Sequence, residues 1–411
     1  MSRFYFDHNA TTPVLPEVRE ALEGAVRDCF GNASSIHREG QQARQRLEQA
    51  RRTVAGALGA NAAEIVFASG GTEANNLAIL GVFRAIIHAG AQRGRVHIVT
   101  SAIEHPSVIE ACLEAQREGA ELTVVPVSAS GAVSADDVRN ALRPDTALVS
   151  IMHANNETGV VQPIVQIAAM VRERRDQGQA IWFHSDGVQA FGKIAGDPVG
   201  QAILSPAKVP GLKADLYTLT GHKLGAPKGI GVLWIRKGVP LDPILHGGRQ
   251  ERSRRPGTED VPNAVALAKA IESIPANEAV RLAGLRDELE SRVLKSVPRA
   301  RVNGASAGRV TNTSNILFPG LAAESIVIAL DLKGFAVSTG SACSSGSVEP
   351  SPVLLAMGLS PQDARSSVRF SLGRSNDLEQ VVNLADAVVA IASQMYGAQP
   401  ELKKVADYVS A

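Results

Sequence analysis

The chain has 411 residues, a net charge of +1, 45% hydrophobic residues and 20% charged residues. That length exceeds one ordinary domain, and the apolar share is enough for a sizeable core. The near-zero charge gives no reason to expect nucleic acid or an anionic membrane as a partner. The start, Met1-Ser2-Arg3-Phe4-Tyr5-Phe6-Asp7, has no basic segment followed by an apolar run, so no signal peptide is read. No stretch is read as approaching the roughly 20 apolar residues of a membrane span. Cys29, Cys112 and Cys343 are widely separated and odd in number. That argues for a reducing compartment over a disulfide framework, so a cytoplasmic location is expected.

In chain order, Pro16–Phe30 reads as a helix with Val18, Leu22 and Val26 on one face. Arg38–Leu58 continues in helical period and stops at Gly59. Strand-like runs follow at Glu64–Ala68, Val96–Thr100, Leu122–Val127, Ala147–Met152, Ala180–Phe183, Leu216–Leu219 and Gly231–Ile235, mostly with helical segments between them. Such alternation predicts an α/β fold with a mainly parallel sheet covered on both faces. Two helices are expected next, Val261–Ile274 and Glu278–Val297, closed by Pro275 and Pro298. Short strands then mix with helices up to Gln394. The expected organisation is a large unit over 15–260, a smaller α+β unit of 1–14 and 261–394, and a helical tail over 395–411.

Four features fall at the ends of these strands, where open α/β sheets place ligands. Ser69-Gly70-Gly71-Thr72-Glu73 opens a helix after a strand, which suits a phosphate. It also reads as a plain turn with Thr72 as cap. In His184-Ser185-Asp186-Gly187-Val188-Gln189 the carboxylate needs a cationic or N–H partner, such as a protonated pyridine nitrogen; capping of the next helix is the ordinary alternative. Thr220-Gly221-His222-Lys223 puts a lysine on a glycine-flanked turn, where a lowered pKa would make it nucleophilic. Most loop lysines are simply solvated. Cys343 sits in Ser338–Ser347 among serines and glycines with Ala342 as its one apolar neighbour. An exposed thiol in such a loop reads as reactive, whereas Cys29 and Cys112 lie in helical patterns and read as buried.

His105, before Pro106, can stack on a ring or cap the next helix, and Arg369 is a charge within a strand pattern that calls for an anion such as a carboxylate. The run Gly248–Arg255 is interrupted by Glu251 and lacks aromatics, which makes it a poor nucleic-acid surface. No Cys/His spacing resembles a zinc site.

Taken together, these segments resemble the cysteine desulfurases of the NifS/IscS branch, within the fold-type I (aspartate aminotransferase-like) pyridoxal-phosphate enzymes. The resemblance runs from Tyr5-Phe6-Asp7-His8-Asn9-Ala10-Thr11-Thr12-Pro13 to about residue 394. It includes Gly31–His37, Asn155-Asn156-Glu157-Thr158-Gly159, Arg254–Glu259 and Gly340–Ser345. It implies the pyridoxal-phosphate-dependent transferase fold, with a seven-stranded sheet in the large domain. Pyridoxal 5'-phosphate would be held as a Schiff base on Lys223, with Asp186 on the pyridinium nitrogen and His105 on the ring face. Gln189 and Asn156 would bond the phenolic oxygen, and Gly71, Thr72, Thr220 and His222 the phosphate. Thr258 would reach the neighbouring subunit's phosphate, implying a homodimer with shared sites. Asn156 and Arg369 would bind the substrate carboxylate.

The implied reaction converts L-cysteine to L-alanine, with Lys223 moving the Cα proton and Cys343 taking the sulfur as a persulfide. The persulfide would pass to an iron–sulfur scaffold or another sulfur acceptor. Catalysis would need no metal, with at most transient ligation of an iron–sulfur cluster by Cys343. Gly71 and Gly187 stand where relatives often have alanine, and Gly196–Pro210 reads as a lengthened surface loop. The alternatives are a selenocysteine lyase or aminotransferase on the same fold, or a catalytically silent binding protein. A reactive Cys343 argues against transamination, and the intact Lys223, Asp186 and His105 set against a silent protein.

Overall fold

A computed structural model describes residues 3–92, 94–194, 214–340 and 349–409, with side chains described up to residue 398. Gly196–Pro210 and Cys343 lie outside the described residues. The chain opens with β1 (Phe4–Tyr5), α1 (Pro16–Asp28) and α2 (Arg38–Leu58). Seven strands follow: β2 (Ile65–Ala68), β3 (His97–Ser101), β4 (Glu121–Val125), β5 (Thr146–Ser150), β6 (Trp182–Asp186), β7 (Leu216–Thr220) and β8 (Gly231–Ile235). Among them lie α3 (Gly71–His88), α4 (Pro106–Arg117), α5 (Ala135–Ala141) and α6 (Ile164–Asp176). A single turn, α7 (Gln250–Ser253), precedes α8 (Val261–Glu272). The rest comprises α9 (Glu278–Ser296), β9 (Arg301–Val302), β10 (Thr313–Leu317), α10 (Ala323–Leu332), β11 (Phe335–Ala336), α11 (Pro352–Ala356), α12 (Pro361–Ala364), β12 (Ser367–Ser371) and α13 (Leu378–Val409).

The seven strands form one sheet in the order β2-β8-β7-β6-β5-β3-β4, as the α/β reading expects. It is parallel throughout β4 to β7, and β8 alone runs against its two neighbours. Alternate strand residues serve opposite faces: Ile65 and Phe67 pack into one core, Val66 and Ala68 into the other. The C-terminal ends of β2, β3, β5, β6 and β7 therefore share one edge, where the expected site motifs emerge. Helix α2 ends as expected at Gly59, whose φ of 64° is the left-handed cap that glycine adopts without a side-chain clash.

β6 is longer than its apolar pattern indicated and includes His184, Ser185 and Asp186. His184 can be buried in the strand because the neighbouring strands satisfy its ring. Its Nδ1 lies 2.8 Å from Ser150 Oγ, and its Nε2 lies 3.1 Å from Thr218 Oγ1. Burial holds His184 neutral, with its pKa lowered to about 3.

A second core surrounds the antiparallel sheet β12-β10-β9 and takes in α9, α10 and α13. β1 pairs in parallel with β11, so the N-terminus joins this smaller unit. Helix α8, expected to start that unit, instead packs on α1 and α2 in the large sheet's core through Ala264, Leu267 and Ile271. We therefore propose the boundary between α8 and α9. α13 continues unbroken to Val409, so the backbone of 395–409 extends this helix. Within it, Leu378–Ala398 is long and apolar enough to cross a membrane by length and composition, contrary to the sequence reading. Val381, Leu384, Val388 and Ile391 nevertheless bury one face of it in the smaller core.

The arginine-rich run meets acidic side chains. Arg255 pairs with Glu73 at 2.7 Å, and Glu251 forms a buried two-point pair with Arg51 at 2.6 and 2.8 Å. Glu251, Arg252 and Ser253 have φ of 46°, 58° and 63°, a left-handed turn that costs roughly 1–2 kcal/mol per residue. The Arg51–Glu251 pair, with Phe67 N–H donating to Glu251 at 3.1 Å, holds that turn in place. Arg51→Met should lower unfolding free energy by about 3–5 kcal/mol by leaving Glu251 buried and unpaired. A denaturant midpoint unchanged from wild type would show that the pair does not hold the turn.

Candidate active site

Asp186, the last residue of β6, is buried. Its Oδ2 accepts from Asn75 Nδ2 at 2.8 Å and its Oδ1 from the Val188 N–H at 2.9 Å. Both donors are neutral, so the carboxylate's charge is left for a cation to balance. Asn75 Nδ2 also donates to Ser107 Oγ at 2.9 Å, which lies 2.8 Å from His105 Nδ1. The Ser107 N–H donates to the same Nδ1 at 3.1 Å, which leaves the ring proton of neutral His105 on Nε2. His105 is thus the cap of α4 and is also tied to Asp186 through Asn75 and Ser107. Burial lowers the His105 pKa; Asp186 opposes this and Lys223 adds to it.

Lys223 ends a tight turn after β7, and Nζ donates to the carbonyls of Asn9 and Ala10. A side chain at Gly221 would meet Ile230 Cγ2 at 2.7 Å, so this turn requires glycine to sit against the sheet. Burial, then Arg369, pushes the Lys223 pKa down to about 8, with Asp7 and Asp186 pulling it back. His222 lies 3.2 Å from Thr11 Oγ1, and burial lowers its pKa to about 4.

Arg369, on β12, is 4% exposed. It pairs with Asp7 at 2.7 Å and donates to the Asn156 carbonyl at 3.1 Å and the Gly340 carbonyl at 3.4 Å. Its Nε is buried and has no hydrogen-bond partner among the described residues. Gln189 Nε2 donates at 3.0 Å to the same Asn9 carbonyl that Lys223 uses, and Asn9 Nδ2 donates to the Asn156 carbonyl at 3.1 Å. Lys223, Gln189, Asn156 and Arg369 therefore meet around the N-terminal segment.

Gly71 begins α3, whose preceding residue Gly70 offers no side-chain cap. A Cβ at Gly71 would lie 3.1 Å from Val188 Cγ2 and 3.6 Å from Thr220 Cβ. Gly71, Thr72 and Thr220 thus lie at one uncapped helix start, an arrangement suited to a phosphate. Gly187 has its own reason: a Cβ there would fall 1.9 Å from the buried Tyr217 ring, so the ring occupies the space an alanine would need. Thr258 is exposed.

Sequence reasoning passed over Asn75, Asn9, Asp7 and Lys193. Asn75 stands one turn after Gly71, which was its one available signal; Asn9 and Asp7 rely on contacts distant in sequence, and Lys193 meets Gln189 only four residues away.

The family described as aminotransferase class-V matches residues 4–384. The chain belongs to the class-V aminotransferase family. It is 44% identical over 399 residues to a cysteine desulfurase IscS of Methanosarcina thermophila, covering 96% of this chain and 93% of the relative. It is 41% identical to a cysteine desulfurase IscS of Dictyoglomus turgidum, covering 94% of each. A solved NifS-like protein superposes with a TM-score of 0.84 at 32% identity, covering 95% of this chain and 99% of that one. As a class-V aminotransferase of this kind, the protein is a pyridoxal-phosphate-dependent enzyme.

The residues fit that cofactor. A buried carboxylate with neutral donors suits a pyridinium nitrogen, an uncapped helix start suits a phosphate, and a buried lysine with a lowered pKa suits imine formation. Among the described residues no cluster of His, Cys, Asp and Glu is arranged to hold a metal.

Imine formation requires a neutral amine. With the Lys223 pKa at about 8, its free-base fraction rises as pH rises through about 8 and levels off above it. The rate at which apoenzyme regains its visible cofactor band should follow that curve. A rate still climbing tenfold per unit at pH 9.5, roughly the slope an ordinary lysine would give, would contradict it.

Proposed function

We propose that this chain is a cysteine desulfurase that converts L-cysteine to L-alanine and carries the released sulfur on Cys343. The observation that carries the reading is Arg369, a buried guanidinium whose Nε has no partner among the described residues, set on the same N-terminal segment as Lys223. That supports an α-amino acid held by its carboxylate with its amino end toward the lysine. Pyridoxal phosphate, when bound, supplies the electron sink for charge at Cα. Lys223 moves the Cα proton, and Asp186 and His105 hold the ring nitrogen and the ring face. Asn156 and Gln189 serve the phenolic oxygen, Asn156 also the substrate carboxylate, and Gly71, Thr72, Thr220 and His222 the phosphate.

The sulfur step requires a thiolate. Cys29 and Cys112 are buried, and burial pushes the Cys112 thiol up to about 12. Neither suits nucleophilic attack, which favours Cys343. In the balanced reaction the Cβ–S bond of cysteine breaks, an S–S bond to Cys343 forms, and alanine leaves with the proton needed at Cβ. The relatives' names favour iron–sulfur assembly as the destination, with a scaffold protein as acceptor. A cytoplasmic setting fits free cysteines and this chemistry.

Wild type given cysteine should release alanine and gain one sulfur on Cys343, seen by mass spectrometry. Cys343→Ala should bind the cofactor and transfer no sulfur, and continued alanine and persulfide formation in that variant would remove Cys343 from its role.

A homodimer with shared sites completes the reading, with Thr258 reaching the partner's phosphate. Phe30 and Ile36 are 78% and 91% exposed, apolar side chains that a second copy would cover. Phe30→Asp with Ile36→Asp should shift the mass measured by light scattering from dimer toward monomer. An unchanged dimer would place the interface elsewhere.

A further inference from the structure

Lys193 is buried among the catalytic groups, yet the desulfurase chemistry assigns it no role. It lies four residues past Gln189, in the turn that follows β6, and is 7% exposed. Its Nζ donates to Gln189 Oε1 at 2.7 Å. The charges acting on it, Lys223 and Arg369, are both cations, and burial together with them lowers its pKa to about 7. A charge in that position is costly unless it is paired, and no anion offsets it, so the amine is drawn toward its neutral form.

The geometry points to Lys193 as a positioning residue that fixes the Gln189 amide with its oxygen turned away from the cofactor and its N–H donors turned toward it. The Asn9 carbonyl can only accept, so the amide atom facing it must be the nitrogen, and the oxygen is left to receive the Lys193 N–H. Gln189 Nε2 faces that carbonyl at 3.0 Å. An amide nitrogen carries two hydrogens, so one serves Asn9 and the other is available to the ring's phenolic oxygen. A flipped amide would set its N–H groups against the amine hydrogens and its oxygen against a carbonyl. The backbone of Lys193 is itself anchored, since its carbonyl accepts from the Thr311 N–H at 2.8 Å and from Thr311 Oγ1 at 2.9 Å. This inference rests on the assignment of Gln189 to the phenolic oxygen.

The test is the pH midpoint of the visible band of the cofactor-loaded protein, read with no substrate present. A donor on the phenolic oxygen draws off its negative charge and loosens the proton shared with the Lys223 nitrogen. Losing the donor therefore raises the midpoint. Gln189→Ala should raise it by about 0.5–1 unit, the worth of one net hydrogen bond. Lys193→Met should move it in the same direction, and the double variant no further than Gln189→Ala alone. Lys193→Arg, which keeps the donor, should restore the wild-type midpoint. Lys193→Ala, which also lacks a donor, carries the same expectation as Lys193→Met and replaces it if the longer apolar side chain prevents folding. A midpoint unmoved in the Lys193 variants overturns the inference, as does a double variant showing the sum of both shifts, because Lys193 would then act through its charge alone. A midpoint unmoved in Gln189→Ala overturns the Gln189 assignment itself.

Discussion

The main-chain carbonyl of Asn9 is the point on which the site depends. It accepts from Lys223 Nζ and from Gln189 Nε2, while the Asn9 side chain donates to the Asn156 carbonyl and to Thr313 Oγ1. The Asn9 N–H donates to Ser371 Oγ at 2.9 Å, and Asn312 Nδ2 donates to Asn9 Oδ1 at 3.1 Å. One residue thus saturates its polar groups against both the large sheet and the smaller one. In a buried setting a network of this kind holds its members tightly, because any group left unpaired loses its full solvation. Asp7, two residues earlier, does the same for Arg369, so the N-terminal segment ties the lysine turn to the arginine strand.

Charge in the site is arranged by burial more than by pairing. Lys193 and Lys223 are both lowered toward neutrality, with Arg369 adding to each shift. Asp7 and Asp186 are the carboxylates that oppose this around Lys223. Asp186 keeps neutral donors, which leaves its charge available to a ring nitrogen, whereas Asp7 is engaged by Arg369. In the proposed reading, a substrate carboxylate at Arg369 would meet a guanidinium already oriented by Asp7, whose Nε has no partner among the described residues.

Peripheral strain has a structural counterpart. The left-handed turn at Glu251–Ser253 sits just before the segment bearing Thr258 and is held through Arg51 from α2. Its cost is local, and the buried ion pair that opposes it spans 200 residues of sequence.

The sequence by itself determined the alternation of strands and helices, because period-two and helical patterns follow from which side chains must face a core. It also singled out Cys343 by its small polar neighbours and Arg369 as a charge within a strand pattern, whereas Lys223, Asp186 and His105 stood out only through the family resemblance. It misjudged the end of β6, where His184 read as loop but is satisfied by Ser150 and Thr218 on the adjacent strands. Strand pairing alone supplies such partners, and no local pattern encodes it. Only the tertiary structure joined Asn75 to Asp186 and Ser107 and Asp7 to Arg369, and brought Gln189 and Lys223 together on the Asn9 carbonyl. Most of these contacts cross from one element to a distant one, so they exist only once the sheet edge and the N-terminal segment have closed on each other.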